Sequence, residues 1–466
     1  MKKKLLAICI LGMFLLVSLS ASGLKSTTNK ETTIINDNNN EYFSVMRPTI
    51  ETLNRWEEEY NNAEKAFINP DLVEEIQTTD SYSILDFLDY IPEENNQGAC
   101  PNCWAWPATS ALGIALNVQK GIKDRLSVQF INSCGEEYTS GMYKIKCCEG
   151  GNLEMFAAFY RATDMAIPWS NTNAYWQDGG LIKCKTTCNS ISKTPNYPIY
   201  DIRAKTISSR NVPEEEAIAN IKNVLHQNKG VYFTVFYPDL KNLNDFRDFW
   251  RNQNEEYVYD LDYYCGHPWN EDEAAGHAML IVGYNDDEGT NNDYWIILNS
   301  WGTNSGRPNG LLRVDMHMNY GCKYSNYYAF GTQTLDVSFD PNAEAPEPPS
   351  ITGPTSGNAN TEYTYTISAI DNQGDDVYLY VDWGDGSNSG WLGTYGSGDT
   401  AQTSHSWSSS GTYTVKAKAK DTNNKESLWT MLEVSMPRKR LINMPFIEFI
   451  KQFDIIYRLI LQRIQA

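Results

Sequence analysis

Apolar residues near the N-terminus recur every three or four positions, at Ile50, Leu53, Trp56, Tyr60, Ala63 and Phe67. Because an α-helix has about 3.6 residues per turn, this spacing places them on one face. The positions between them are rich in Glu and Asn. The pattern therefore predicts an amphipathic helix that needs a partner surface.

Further along, the pattern divides the chain into regions of different character. Residues 81–337 alternate helical and strand-like stretches and form the largest predicted domain. A Pro-rich linker at 338–349 follows. Residues 350–436 carry apolar side chains at every second position between polar turns, which predicts a small all-β sandwich. Residues 437–466 return to helical spacing and are basic, which predicts an amphipathic tail.

The first 23 residues have the layout of a secretory signal peptide. Lysines precede an apolar run, Leu5–Leu19, and small residues follow at 20–23. A retained membrane anchor is the alternative, but the run is short for a span and polar residues follow it. Residues 24–80 form a leader before the largest domain. Because exported thiols oxidise in pairs, we expect disulfides.

Composition narrows the function classes. A chain of 466 residues exceeds what one core usually organises, and 41% hydrophobic residues exclude disorder as the main state. Lys and Arg number 38 against 58 Asp and Glu, which gives a net charge of −20. Such a chain repels phosphate backbones, so nucleic acid is not expected as a partner.

Three polar residues lie at the ends of predicted elements. Cys103 precedes the apolar helical stretch Ala108–Val118, where the helix dipole stabilises a thiolate and lowers the pKa of the thiol. His277 opens a buried strand, and Asn299 follows the strand-like stretch Tyr294–Leu298. A cysteine, a histidine and an orienting amide are the groups of a nucleophilic triad.

These residues lie in four motifs that resemble the papain-like cysteine peptidases. The motifs are Gln97 to Trp106, Cys148-Glu149-Gly150-Gly151, Gly276-His277-Ala278 and Asn299-Ser300-Trp301-Gly302, in the order of that family. The resemblance implies an α+β fold with a two-lobed domain, one lobe helical and the other β-barrel-like. Each motif alone is weak, since a single buried Cys or His is usually structural. The four together favour catalysis.

The resemblance also implies roles for the matched residues. Cys103 would be the nucleophile, His277 its base and later acid, and Asn299 the residue that orients the imidazole. The side-chain amide of Gln97 would join the backbone N–H of Cys103 in an oxyanion hole. Trp301 would shield the bond between His277 and Asn299 from water.

The glycine pair and the remaining histidine have other expected roles. Gly150 and Gly151 would bind a substrate strand, because glycine leaves room for its backbone. His267 is the rival histidine, but no strand follows it, so we expect a loop residue.

Ten cysteines less Cys9 of the signal peptide and Cys103 leave eight, enough for four disulfides. The resemblance implies the pairs Cys100–Cys148 and Cys265–Cys322. The pairing among the other four stays open: Cys134, Cys147, Cys184 and Cys188. A zinc site that includes Cys184 and Cys188 is the alternative, which export disfavours. No metal or cofactor is expected.

The sequence departs from the family pattern in three places. His277 follows Cys103 by 174 residues, more than the usual interval of about 130–150, so inserted loops are expected, including 240–273. Pro107 lies near the start of the nucleophile's helix and could bend or delay it. The leader is short, and its helix is either an inhibitory propeptide or a spacer.

The sandwich region contains Val381-Asp382-Trp383-Gly384-Asp385-Gly386 and His405-Ser406-Trp407, which resemble the PKD domain. Trp383 and Trp407 are expected in its core. Asp382 and Asp385 are interpreted as turn formers rather than calcium ligands. The resemblance leaves two roles open, a passive spacer or a module that binds a protein or polymer.

The tail has six basic residues and two acidic ones, a net charge of +4 opposite in sign to the whole chain. It either contacts a membrane surface or cell envelope or docks on the acidic protein itself.

We therefore expect a secreted cysteine endopeptidase, made as a zymogen, that acts on protein or peptide substrates through a Cys-His-Asn triad and a thioester. The alternatives are a transpeptidase of the same fold and a catalytically inactive surface adhesin. The substrate side-chain preference stays open, because it depends on loops that the sequence does not place.

Overall fold

The computed structural model describes residues 43–69, 72–286, 293–340 and 345–436, with Arg458, Gln462 and Arg463. The predicted signal peptide, the first part of the leader and nearly all of the predicted basic tail lie outside the described residues. Within the described ranges, no helix combines the length and apolar character needed to cross a membrane.

The helices before residue 340 include the amphipathic helix predicted in the leader. They are α1 (Ile50–Asn62), α2 (Val73–Thr78), α3 (Ala105–Lys120), α4 (Val128–Tyr138), α5 (Leu153–Thr163), α6 (Glu214–His226) and α7 (Leu240–Asn252). Helix α1 begins after Thr49, whose hydroxyl accepts a hydrogen bond from the Thr52 N–H at 3.2 Å. It buries Leu53, Trp56 and Tyr60, three members of the predicted apolar face.

The strands of the same region form mostly one sheet. They are β1 (Ser81–Ser83), β2 (Met165–Ala166), β3 (Tyr197–Pro198), β4 (Asp201–Thr206), β5 (Val231–Tyr237), β6 (Val258–Tyr259), β7 (Ala275–Asn285), β8 (Tyr294–Leu298), β9 (Leu311–Asp315), β10 (Lys323–Tyr324), β11 (Tyr327–Tyr328) and β12 (Phe330–Ser338). The main order is β4-β12-β5-β7-β8-β9-β6, and β1 pairs with β7. The pairs are antiparallel except β6 with β9. Strand β7 is buried over nearly its whole length, so the residues at its start are held rigidly.

Helices α3, α4 and α5 pack together as a helical lobe beside the sheet. Pro107 is the third residue of α3 and does not interrupt it, because N–H groups in the first turn have no partner within the helix. The helix ends at Gly121, whose φ of +66° suits glycine.

The expectation of disulfides is confirmed, since the eight cysteines form four bridges. The pairs are Cys100–Cys148, Cys134–Cys188, Cys147–Cys184 and Cys265–Cys322. Three of them tie the loops of the helical lobe together. Cys184 and Cys188 lie in separate bridges, which removes the donors of the alternative zinc site.

The predicted inserted loop at 240–273 is not a simple loop. Its first part is α7, a helix that buries Leu243, Phe246, Phe249 and Trp250. Asp239 caps its start by accepting a hydrogen bond from the Asn242 N–H at 2.9 Å. The insertion therefore adds apolar core next to the sheet.

Residues 350–436 form the all-β sandwich. Its strands are β13 (Ser350–Thr352), β14 (Tyr363–Ser368), β15 (Val377–Asp382), β16 (Asn388–Tyr395), β17 (Thr400–His405), β18 (Gly411–Asp421) and β19 (Thr430–Met436). One sheet has the order β13-β14-β17 and the other β16-β15-β18-β19. Trp383 and Trp407 are buried between the sheets.

The sandwich contacts the end of the leader. The centre of the Phe67 ring lies 4.6 Å from the centre of the Tyr378 ring and 5.7 Å from that of the Trp391 ring. The ammonium group of Lys420 lies 3.7 Å from the centre of the Phe67 ring. Phe67 is buried, and its carbonyl oxygen accepts a hydrogen bond from the Gln227 side chain at 2.9 Å. This part of the leader therefore lies between the sandwich and the larger domain.

Replacing Phe67 by Ala should therefore destabilise the intact chain by roughly 3 kcal/mol, because it leaves a cavity between two aromatic rings. Urea denaturation followed by tryptophan fluorescence measures the loss. Ile370→Ala, at an exposed position of the sandwich, is the matched control and should change little. Equal stability of the Phe67→Ala and Ile370→Ala chains would contradict the contact.

Candidate active site

Cys103 lies just before α3, at the inner end of the helical lobe. It is the one cysteine among the described residues without a disulfide partner, and it is fully buried. The neighbouring Trp104 ring packs on Gly151, where an added Cβ would lie 2.6 Å from a ring atom. A glycine is therefore required at position 151, against the ring of the residue that follows the cysteine.

The sheet contributes the histidine and the amide. His277 is near the start of β7, where it pairs with Val235, and Asn299 follows β8. The imidazole Nε2 lies 2.7 Å from Asn299 Oδ1. The Ser300 N–H also donates to this Oδ1, at 2.8 Å. Because Oδ1 only accepts, Nε2 carries the proton and donates it, and Nδ1 is left as a free acceptor.

Two further features define the state of this imidazole. Its Nδ1 is buried and has no hydrogen-bond partner among the described residues. The Trp301 ring stacks on it, with ring centres 4.5 Å apart. The Trp301 ring therefore lies over the imidazole that is bonded to Asn299.

The fold brings the cysteine of one lobe against the strand of the other. Cys103 Sγ lies 4.0 Å from the carbonyl oxygen of Gly276, the residue before His277. The backbone N–H of Ala278, the residue after it, is directed at the same sulfur. Cys103 and the two residues that flank His277 are therefore in contact, although 174 residues separate the cysteine from the histidine.

Gln97 lies beside these groups and is fully buried. Its Nε2 donates to the carbonyl oxygen of Cys100 at 2.8 Å and to that of Ser44 at 3.0 Å. The Ser300 hydroxyl donates to its Oε1 at 2.7 Å and fixes the orientation of the amide. The amide N–H groups thus face a carbonyl oxygen of the leader.

Residues 43–69, which we call the covering segment, begin in the groove between the lobes and end beside β4, where the Ala66 N–H donates to the carbonyl oxygen of Thr206 at 2.8 Å. Met46 and Gly276 exchange two backbone hydrogen bonds, of 2.8 and 2.9 Å. A Cβ added to Gly150 would lie 3.3 Å from the Met46 side chain. Of the predicted glycine pair, Gly150 therefore meets the Met46 side chain of the leader, whereas Gly151 accommodates Trp104.

Several contacts hold the covering segment in place. The Arg247 guanidinium of α7 donates to the carbonyl oxygen of Phe43 at 2.8 Å. The Asn152 side chain donates to the Glu59 carboxylate of α1 at 2.6 Å. These contacts and those of Ser44 and Ser300 were not predicted. Ser300 could have been, since it lies inside a motif, but the others depend on the tertiary fold.

Burial sets the protonation of both reactive groups. It raises the pKa of Cys103 to about 12, although backbone N–H groups at the sulfur act in the opposite direction. It lowers the pKa of His277 to about 4, with a smaller contribution from the Arg247 charge. The prediction of a lowered pKa for Cys103 is therefore wrong for the covered chain, because burial outweighs the backbone N–H groups directed at the sulfur.

Part of the groove stays open. A cleft of about 630 Å³ begins at Phe43 and Trp301 and is also lined by Trp176 and Trp250. Aromatic walls of this kind suit apolar or aromatic side chains of a bound peptide. His267, the rival histidine, is exposed in a loop and does not line this cleft.

Comparison with known proteins agrees with this geometry. Residues 86–332, more than half of the chain, match the sequence model of the papain family cysteine protease. The chain therefore belongs to the papain family of cysteine proteases. Residues 349–434 match the model of the PKD domain.

Individual relatives are distant. A low-temperature-induced cysteine proteinase of Solanum lycopersicum is 26% identical over 223 residues, 48% of this chain and 53% of the relative. A cathepsin B-like cysteine proteinase of Caenorhabditis elegans is 24% identical over 234 residues, 47% of this chain and 56% of the relative. The chain thus spans about half the length of the curated relatives it matches.

A solved structure resembles the sandwich. The PKD domain of an M14-like peptidase from a Thermoplasmatales archaeon is 48% identical and covers 20% of this chain and 98% of its own, with a TM-score of 0.20.

Cys103 of the intact chain should react slowly with iodoacetamide, because only about one chain in ten thousand carries the thiolate at pH 8. Trp56→Ala weakens the docking of α1 and should accelerate the reaction at least about tenfold. Asn54→Ala, on the exposed face of the same helix, is the control. Labelled peptides quantified by mass spectrometry give the rates, and equal rates for the Trp56→Ala and Asn54→Ala chains would refute the covered state.

Proposed function

We propose that this protein is a secreted cysteine endopeptidase that hydrolyses peptide bonds through Cys103, His277 and Asn299. The observation that carries the proposal is the free Cys103 thiol against the backbone on both sides of His277, whose Nε2 is bonded to Asn299. The free Nδ1 is the atom that would take the thiol proton.

The chemistry follows from these positions. The Cys103 thiol gives its proton to His277 Nδ1, and the sulfur attacks the peptide carbonyl carbon. The carbonyl oxygen becomes an oxyanion that the Gln97 amide and the Cys103 N–H stabilise. The C–N bond breaks as the imidazolium protonates the leaving amine, which leaves a thioester. His277 then takes a proton from water, whose oxygen attacks the thioester and releases the carboxylate product and the thiol.

We further propose that the covering segment is an inhibitory propeptide. Its Ser44 carbonyl oxygen accepts from the Gln97 amide that would stabilise an oxyanion, and its Met46 backbone pairs with Gly276. A substrate cannot enter while these bonds are present. Cleavage or displacement of residues 43–69 would open the groove and let the helix dipole lower the pKa of Cys103.

Export and substrate class complete the proposal. Four disulfides are typical of proteins outside the reducing cytosol, in line with the signal-like N-terminus. The substrates would be proteins or peptides in extended form, since a groove edged by Gly150 accepts a strand. The sandwich would hold a protein or polymer near the groove.

Activity should appear after limited proteolysis of the covering segment, measured with a quenched peptide library under mild reductant. Cys103→Ala should abolish cleavage, and Gln97→Ala should lower turnover by about 10²–10³. Asn196→Ala, exposed and remote from the groove, should retain full activity.

Two outcomes separate the alternatives. Equal cleavage by the parent and Cys103→Ala proteins would contradict the proposal and favour an inactive module. Products that carry an added amine in place of a free carboxylate would indicate a transpeptidase.

Acid should weaken the attachment of the covering segment to the groove. The pKa of His277 is lowered to about 4 in the covered chain, so between pH 6.5 and 4 only an uncovered chain binds this proton. The free energy that holds the covering segment in the groove should therefore fall by up to about 1.4 kcal/mol per pH unit over this window. Glu59, whose pKa burial raises, acts in the opposite direction.

Hydrogen exchange of the Met46 amide in a Cys103→Ala chain measures this loss, after correction for intrinsic exchange. Protection of the Met46 amide should fall from pH 6.5 to 4, and it should fall further in the Glu59→Gln chain. His277→Gln should remove the His277 contribution, and an unchanged pH profile in that variant would contradict the assignment.

A further inference from the structure

Three carboxylates converge at one end of the sandwich, away from the candidate active site. Asp371 and Asp375 lie in the loop between β14 and β15, and Asp421 is the last residue of β18. One oxygen of each lies within 4.8 Å of the others. Three like charges this close repel one another strongly unless a cation or protons neutralise them.

Two of these carboxylates are incompletely bonded. Asp371 Oδ1 accepts from the backbone N–H groups of Gln373 and Asp375, and Asp421 Oδ1 accepts from that of Lys425. The Oδ2 atoms of Asp371 and Asp421 are buried without a hydrogen-bond partner among the described residues. Both residues are almost fully buried, with 3% and 0% of their surface exposed. Water therefore does not stabilise these two oxygens as it would at the surface.

The surroundings supply little positive charge. Lys425, next to Asp421 in the fold, is directed at Asp201 of β4, with N–O at 3.8 Å. Asp375 receives one neutral hydrogen bond, from the Asn423 side chain at 2.7 Å. The cluster is thus strained electrostatically as it stands.

We propose that Asp371, Asp375 and Asp421 bind one Ca²⁺ ion. All three donors are hard carboxylate oxygens, two on a loop and one at a strand end. This set suits the flexible coordination of Ca²⁺ better than the strict octahedron of Mg²⁺. Without a nitrogen or sulfur donor in the cluster, zinc and copper are poor fits. The ion supplies the positive charge that the two unpartnered Oδ2 atoms lack.

The sequence points to a different pair of aspartates, which the structure explains. Asp382 Oδ1 accepts from the Gly384 N–H at 2.9 Å, and Asp385 binds the Ser387 N–H and the His405 ring. Those carboxylates form turns, in agreement with their interpretation from sequence, and have partners. The loop at 371–375 and the end of β18 come together only in the folded sandwich.

The proposed ion lies where the sandwich meets the rest of the chain. The Glu347 N–H of the linker donates to the carbonyl oxygen of Ile370 at 2.8 Å, and Asn372 donates to the Glu347 side chain at 3.4 Å. On the other side, Thr422 and Asn424 line a cavity shared with Gln119 and Lys120 of α3. Calcium would therefore brace both loops that join the sandwich to the linker and the peptidase domain.

The test uses the full chain with Cys103→Ala, which prevents self-processing, after dialysis against EDTA. Titration with CaCl₂ by calorimetry should show one ion per chain, and the thermal midpoint should rise with calcium. Asp421→Asn and Asp375→Asn should each weaken binding about tenfold or more. Asp376→Asn, an exposed aspartate of the same loop, should bind as the parent does.

The stability of the variants in EDTA shows whether weaker calcium binding could result from misfolding. Because Asp421→Asn removes a buried charge, its thermal midpoint in EDTA should equal or exceed that of the parent. The proposal is overturned if the parent binds no calcium at millimolar concentration. It is also overturned if Asp421→Asn and Asp375→Asn bind it as tightly as Asp376→Asn does.

Discussion

The burial of one sulfur atom and one imidazole under the covering segment is the constraint on which the rest of this structure depends. Cys103 comes from the helical lobe and His277 from the sheet, and both are fully buried where the lobes meet. In that dry environment the uncharged thiol and imidazole are favoured over the ion pair. The residues that we propose for catalysis are thus buried together beneath the covering segment.

The remaining architecture holds this arrangement. The buried strand β7 and the bond from Asn299 fix the imidazole, while Ser300 fixes the Gln97 amide. The covering segment is held at both ends, near Phe43 by the Arg247 guanidinium of α7 and at Phe67 by the sandwich. The sandwich therefore contacts the segment that would have to leave the groove. Under the activation that we propose, this contact links the C-terminal domain to the release of the covering segment.

The sequence predicts local features well and long-range ones poorly. The period of the apolar residues predicts α1, which the structure contains. The motif order selects Cys103, His277 and Asn299 as candidates, and their catalytic roles stay a proposal. The position of α1 does not follow from its own pattern, so the burial of Cys103 by the covering segment was not predicted. The predicted sign of the Cys103 pKa shift was wrong for this reason. Helix α7 could have been found, because Leu243, Phe246 and Trp250 have helical spacing inside the predicted loop. The pairing of Cys134 with Cys188 needed the fold.

The most direct measurement of the central claim is the trapping of an acyl-enzyme. The protein, freed of its covering segment, is mixed with a peptide ester, quenched in acid within milliseconds and mapped by mass spectrometry. We expect an acyl group on Cys103 as a thioester, and none on the intact chain. Turnover of the ester with an acyl adduct on another residue would contradict this expectation. So would turnover without an adduct at Cys103 under conditions in which acylation is faster than hydrolysis.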